Sequence, residues 1–194
     1  VVGPPLPNRD LPVTIFPSAQ VLVEDAPQRN EFFTGPFLPL PSLVEETPAR
    51  LLRRSSSFSA PLSQHPELKQ WISEASDSGL PIIYIALGTL VKPSKDLIER
   101  LIAGLDGGPW RILWALPKAQ QDLLPRKLSD HWHVDNFPPQ FALFRAGLVQ
   151  AFISHCGASS THEALCQGIP MVCMPFFGDQ YEWAVSVCKF VKAG

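Results

Sequence analysis

Ala151-Phe152-Ile153-Ser154-His155-Cys156-Gly157-Ala158-Ser159-Ser160 decides the fold. A short apolar run ends at Ser154, a turn of small and hydrogen-bonding residues follows, and Thr161-His162-Glu163-Ala164-Leu165 continues at helical spacing. The same texture repeats on both sides. Strands are expected at residues 82–87, 111–115, 133–136, 151–154 and 171–174. Helices are expected at 94–105, about 119–124, 141–145, 160–167 and 180–192. Before them, Leu68, Trp71, Ile72 and Ala75 recur at helical spacing until Gly79 ends the segment. The strands are short, rich in Ile and Val, and apolar on both faces. That pattern belongs to a parallel sheet buried between helices, a doubly wound α/β domain.

Ligands of such sheets lie beyond the carboxyl ends of the strands. Those ends read Gly88-Thr89, Phe137-Pro138-Pro139-Gln140, His155 to Ser160, and Pro175-Phe176-Phe177-Gly178-Asp179-Gln180. Each has a purely structural explanation: Gly88 and Gly157 as turn glycines, Ser160 as a helix N-cap, and Ser160 with Glu163 as a capping box. Gathered at one sheet edge, they point to a ligand with several polar parts. The turn after Ser154 aims free amides and a positive helix terminus at one spot, as a phosphate requires, with His155, Ser159 and Ser160 adding donors. Neither G-x-x-x-x-G-K-[ST] nor G-x-G-x-x-G occurs there, which disfavours an NTP-hydrolysing loop or a dinucleotide fold. A thiol nucleophile at Cys156 is disfavoured because it has no third partner. Zinc on Cys156, His162, Cys166 and His155 is disfavoured because the spacing matches no standard site.

Composition sets the wider bounds. The 194 residues carry 16 Lys and Arg against 18 Asp and Glu, a formal charge of −2, with no long run of like charge. A nucleic-acid or anionic-membrane binder working through bulk charge is thereby set aside. No apolar stretch approaches the roughly 20 residues that span a bilayer, and no secretory pattern opens the chain, so a soluble protein is expected. The cysteines, Cys156, Cys166, Cys173 and Cys188, are separated by 10, 7 and 15 positions with no C-x-x-C pair. They are read as buried, reduced thiols of a cytoplasmic protein. Of the 21 prolines, twelve lie in the first 66 residues, where little regular structure is expected and 39–66 reads as an extended linker. Arg50 to Ser57 could be a phosphorylation target, although solvated linker is the simpler reading.

At this point the strings Phe137-Pro138-Pro139-Gln140, Ile153 to Leu165, Gly168-Ile169-Pro170-Met171 and Pro175 to Gln180 become recognisable. In that order they resemble the donor-binding signature of the UDP-dependent glycosyltransferases with the GT-B fold. Ile83 to Thr89 looks like the opening of their C-terminal domain, and Phe33-Thr34-Gly35-Pro36 like the end of the N-terminal one. The resemblance implies the end of an N-terminal domain and a Pro-rich linker over 1–66. It implies a Rossmann-like UDP-sugar donor-binding domain, truncated at its C-terminus, over 67–194. Gly178-Asp179-Gln180 with Trp183-Ala184 leans towards the fungal and sterol-type branch.

Carried over by position, the resemblance makes Phe137 the platform for uracil and Gln140 a contact to base or ribose. Glu163 accepts from the ribose hydroxyls. The resemblance further implies that His155, Gly157, Ser159, Ser160 and Thr89 hold the diphosphate, that Gly88 belongs to the donor site, and that Asp179 with Gln180 binds the sugar. Many members carry Trp at the position of Phe137, and Trp and Asn at those of Ala158 and Ser159. The implied activity is inverting transfer of a hexose from a UDP-sugar to a hydroxyl of a small lipophilic acceptor, with no cofactor and no metal. The base would come from an N-terminal domain, so no catalytic residue is expected here and the isolated chain should transfer little. Two alternatives stay open: a soluble donor-binding subunit that docks on a membrane-associated partner, and a non-catalytic nucleotide-binding domain. A missing final strand and helix would expose a sheet edge and apolar surface around Phe176, Phe177 and Phe190.

Overall fold

The computed structural model describes residues 14–16, 31–33 and 62–191. The linker read over 39–66 lies almost wholly outside them. Where little regular structure was expected, β1 (Thr14–Phe16) and β2 (Glu31–Phe33) pair in parallel, Ile15 opposite Phe32. The β-branched and aromatic content of both segments favours that pairing over coil.

The domain opens with α1 (Pro66–Ser78), which starts on a proline, buries Leu68, Trp71, Ile72 and Ala75, and stops at Gly79 with φ +66°. There follow β3 (Ile82–Ala86), α2 (Lys95–Leu105), β4 (Arg111–Ala115), α3 (Lys118–Gln121), β5 (Trp132–Asp135) and α4 (Gln140–Arg145). β6 (Ala151–Ser154), α5 (Ala158–Cys166), β7 (Met171–Cys173) and α6 (Gln180–Val185) complete the alternation. The five strands form one parallel sheet in the order β5-β4-β3-β6-β7. The chain winds outward from β3 to β5, then crosses back to β6. β3 and β6 therefore flank the switch point, where a ligand crevice opens.

Strand alternation divides the interior into two layers. Tyr84, Ala86, Leu113 and Phe152 pack on one face with α1, α4 and α5. Ile85, Leu87, Ile112, Trp114 and Ile153 pack on the other with α2. Arg111 enters β4 almost buried: its guanidinium donates to the Trp71 and Asp130 carbonyls at 3.2 Å each and stacks 4.9 Å from the Trp71 ring. With the Glu74 carboxylate 4.0 Å away as well, these contacts fasten α1 to the sheet.

Several boundaries differ from expectation. The helix after β6 starts at Ala158 rather than residue 160, because Gly157 serves as N-cap through its backbone, its carbonyl accepting from the Thr161 amide. Ser160 and Glu163 therefore form no capping box. The helix expected over 119–124 is one turn at Lys118–Gln121, and that over 180–192 changes at Ser186 into a π-helical segment to Val191. Only Cys156 is fully buried, while Cys166 and Cys188 are exposed; all four are free. At the β7 edge Val172 and Phe177 are 55% and 45% exposed, whereas Phe176 packs against the second layer. Phe190 has no described side chain. Among the described residues no helix is long and apolar enough to cross a membrane.

Candidate functional site

Register aligns the strand ends. Asp135, Ala115, Ala86, Ser154 and Cys173 stand in one row across the sheet, each opposite its neighbour. The segments that follow these five residues leave the sheet at the same edge. The cavity there has a volume of about 540 Å³ and is lined by Tyr84, Ala86 and Ala115 of the sheet, by Gly88 and Thr89, by Asn136 to Ala142, and by Ser160 and Glu163. Six expected site residues thus meet at one cavity: Gly88, Thr89, Phe137, Gln140, Ser160 and Glu163. His155 and Gly157 adjoin it through Gly88. Ser159, Asp179 and Gln180 do not line it.

Phe137 presents a ring that is 60% exposed, although burial would be the default for its size. Gln140, first residue of α4, donates from Nε2 to Glu163 Oε2 at 2.7 Å and lies 3.3 Å from Ser160 Oγ. Burial pushes the Glu163 carboxyl above its ordinary range, and the Gln140 hydrogen bond opposes that shift. An oriented carboxylate with one oxygen already satisfied keeps the remaining acceptor capacity for vicinal hydroxyls.

Beside the crevice, next to its lining residue Gly88, stands His155. A Cβ on Gly88 would stand 2.5 Å from its Nε2, and a Cβ on Gly157 also 2.5 Å. The imidazole thus lies between two glycines that leave room for it. Its Nδ1 is 3.4 Å from the Ala86 carbonyl, and burial lowers its pKa against the opposing pull of that carbonyl. Next, Cys156 takes φ +63°, rare for a side chain with a Cβ, while its amide donates to Ser154 Oγ at 3.0 Å. This turn points the N-terminus of α5 at the crevice, where the amides of Ala158, Ser159 and Ser160 have no intrahelical acceptor. Cys156 itself is sealed, with 0% exposure, so its thiol cannot reach a substrate.

Asp179 and Gln180 serve the turn after β7. Gln180 is 5% exposed, and its Oε1 accepts from the amides of Phe176 and Phe177 at 2.8 and 3.2 Å. Asp179 is exposed and accepts from Trp183 Nε1 at 3.2 Å. The His162 ring meets that indole edge-on, 5.0 Å between centroids. Among the described residues no group of three or more His, Cys, Asp or Glu is placed to hold a metal. Tyr84 and Asn136, which also line the cavity, were missed from sequence. Tyr84 was within reach, since alternation along β3 puts residues 84, 86 and 88 on one face.

Fold and site together define a doubly wound α/β domain with a ligand crevice at its switch point, lined by Phe137, Gln140, Ser160 and Glu163. More narrowly, residues 56–193 match the family described as "UDP-glucoronosyl and UDP-glucosyl transferase", and the chain belongs to it. An anthocyanidin 3-O-glucosyltransferase of Zea mays is 34% identical over 156 residues, 76% of this chain and 32% of the relative. UDP-glycosyltransferase 83A1 of Arabidopsis thaliana is 32% identical over 143 residues, 72% of this chain and 29% of the relative. Among solved structures, a UDP-glucose:anthocyanidin 3-O-glucosyltransferase in complex with UDP superimposes with TM-score 0.58 at 28% identity, covering 81% of this chain and 32% of that one. Os79 from O. sativa in complex with UDP gives 0.57 at 25%, covering 63% and 29%. The chain spans about a third of the length of the curated relatives it matches.

Proposed function

We propose that this chain is the donor-binding half of an inverting UDP-glycosyltransferase that moves a hexose from a UDP-sugar to a hydroxyl of a small lipophilic acceptor. The observation that carries the reading is the cavity lined together by the exposed Phe137 ring, the Gln140–Glu163 pair and Ser160 of the α5 terminus. Uracil stacks on Phe137, the ribose diol donates to Glu163, and the diphosphate takes the α5 amides and His155. Stabilising the departing diphosphate and holding the sugar in line are the chain's share of catalysis. Amides, hydroxyls and an imidazole supply the counter-charge, so the reading calls for no metal. The acceptor's base is assigned to none of these residues, and the chain alone is expected to transfer little or no sugar. Detectable glucosylation by the chain alone would overturn that part.

Calorimetric titration with UDP, UDP-glucose, UDP-N-acetylglucosamine and ADP tests it. The uridine compounds are expected to bind and ADP is not, with His155→Ala weakening UDP. Because burial lowers the free His155 pKa and a bound diphosphate would raise it, protonation accompanies binding. Affinity should therefore rise as pH falls from 8 to 6, and less steeply in His155→Ala. Equal binding of ADP and UDP would reduce the chain to a general nucleotide binder.

Phe137 gives a sharper test. Truncating a stacking platform costs about 1–3 kcal/mol per base, so Phe137→Ala should weaken UDP roughly tenfold. Phe137→Trp offers more ring face and should bind at least as tightly as the parent. A Trp variant no better than the Ala variant would remove stacking from the account.

A further inference from the structure

We propose that His65 and Asp135 position the Phe137 platform, an inference that rests on the donor-site reading above. Asp135 is the last residue of β5, and its carboxylate is shared. Oδ1 accepts from the Phe137 amide at 3.1 Å, closing a turn two residues on, while Oδ2 lies 2.8 Å from His65 Nδ1. A carboxylate only accepts, so Nδ1 carries the proton and donates. Both side chains are mostly buried, 21% and 14% exposed.

His65 occupies the N-cap of α1, a place where Ser, Thr, Asp or Asn would satisfy the helix amides. Its side chain makes no capping bond and turns instead to a partner 70 residues away. Its backbone is fixed, the amide bonded to the Leu62 carbonyl and the carbonyl to the Lys69 amide. α1 is held to β5 where Trp71 packs on His133 at 5.5 Å. The imidazole thus reaches Asp135 from a rigid base.

The turn is pinned from the other side as well, Asn136 Oδ1 accepting from the Lys118 amide at 2.7 Å. Among the described residues no other ring stacks on Phe137, so the aim of its exposed face comes from the backbone turn. His65 is not among the residues that line the cavity and would act through Asp135. The segment that enters the domain thereby sets the platform on which the nucleobase lies.

The test compares UDP affinity in the full chain, His65→Ala, His65→Asn, and each combined with Phe137→Ala. Amide exchange at Phe137 is followed by NMR. His65→Ala should lose about fivefold in affinity, the scale of one lost hydrogen bond. His65→Asn, whose Nδ2 can occupy the place of Nδ1, should recover most of it. In the Phe137→Ala background the loss should vanish, and the Phe137 amide should exchange faster in His65→Ala than in the parent. Should His65→Ala not fold, Asp135→Asn carries the same comparison with a smaller loss. Parent-like affinity in His65→Ala, or an undiminished loss without the Phe137 ring, overturns the proposal. If the parent itself takes up no UDP, the donor-site reading fails; a Phe137 amide whose exchange ignores His65 then removes the brace as well.

Discussion

A chain carrying Glu163→Ala is expected to bind UDP about a hundredfold more weakly than the parent, while Glu163→Gln gains thermal stability without ligand. The first half follows from what a carboxylate does for a diol. Hydrogen bonds to a charged group contribute about 1.5–3 kcal/mol each, and two lost together exceed tenfold twice over. The second half follows from burial. The site raises the Glu163 pKa, so in the window between its ordinary value and the raised one the folded chain holds a proton that the unfolded chain has released. Stability therefore falls as pH rises through that window, and at neutral pH the ionised carboxylate is a net cost to the fold. The Gln variant keeps the shape and removes the charge. Its melting temperature should exceed the parent's at pH 7, and the gap should narrow on acidification as the parent's carboxyl protonates. UDP should then reverse the ranking, since ligand stabilises the protein that binds it by RT ln(1 + [L]/Kd). Melting curves at two pH values, with and without UDP, test both halves. A Gln variant that melts lower without ligand would show that Glu163 holds the fold rather than the ligand.

That opposition between stability and binding explains which parts of the molecule were legible in its sequence. β3, β4 and β6 are runs in which local propensity and burial agree, and they lie within a residue of expectation. The start of α5 was misplaced because Ser160 and Glu163 carry the residue types of a capping box, while Gly157 does the capping through backbone alone. Both side chains are free to turn to Gln140 instead. Local sequence offers a cap there and the site uses the same atoms otherwise, as is expected where function overrides a local rule. The His65–Asp135 pair was not legible, because its partners are 70 positions apart and neither stands in a motif. Buried Arg111 was hidden for a similar reason: a charge at a strand start reads as solvated until the Trp71 and Asp130 carbonyls are brought to it. Gln180 reads as a sugar ligand in the motif, yet its oxygen is committed to two backbone amides.

Gly88→Ala should abolish measurable UDP binding, and Gly79→Ala should leave it unchanged, although the two glycines share a backbone conformation. Gly79 has φ +66° and Gly88 φ +75°, both in the left-handed region that costs a residue with a Cβ about 1–2 kcal/mol. Around Gly79 a Cβ would meet nothing within 4 Å, so its alanine variant isolates that backbone cost. At Gly88 the new Cβ would stand 2.5 Å from His155 Nε2, 2.9 Å from Cε1 and 3.0 Å from Cδ2. A fully exposed side chain would swing away at no loss, but this ring is half-buried, lies between Gly88 and Gly157, and has its Nδ1 3.4 Å from the Ala86 carbonyl, a contact that displacement gives up. Relief comes by pushing the imidazole off the strand end, out of line with the α5 terminus. Gly88→Ala should therefore melt below Gly79→Ala, and the excess is the steric part. Combining Gly88→Ala with His155→Ala removes the obstructed ring, and the double variant should regain the stability of Gly79→Ala without regaining UDP. If Gly88→Ala instead melts with Gly79→Ala and still binds UDP, His155 has room to move. The glycines would then be serving the turn alone, and the imidazole would have no fixed place at the diphosphate.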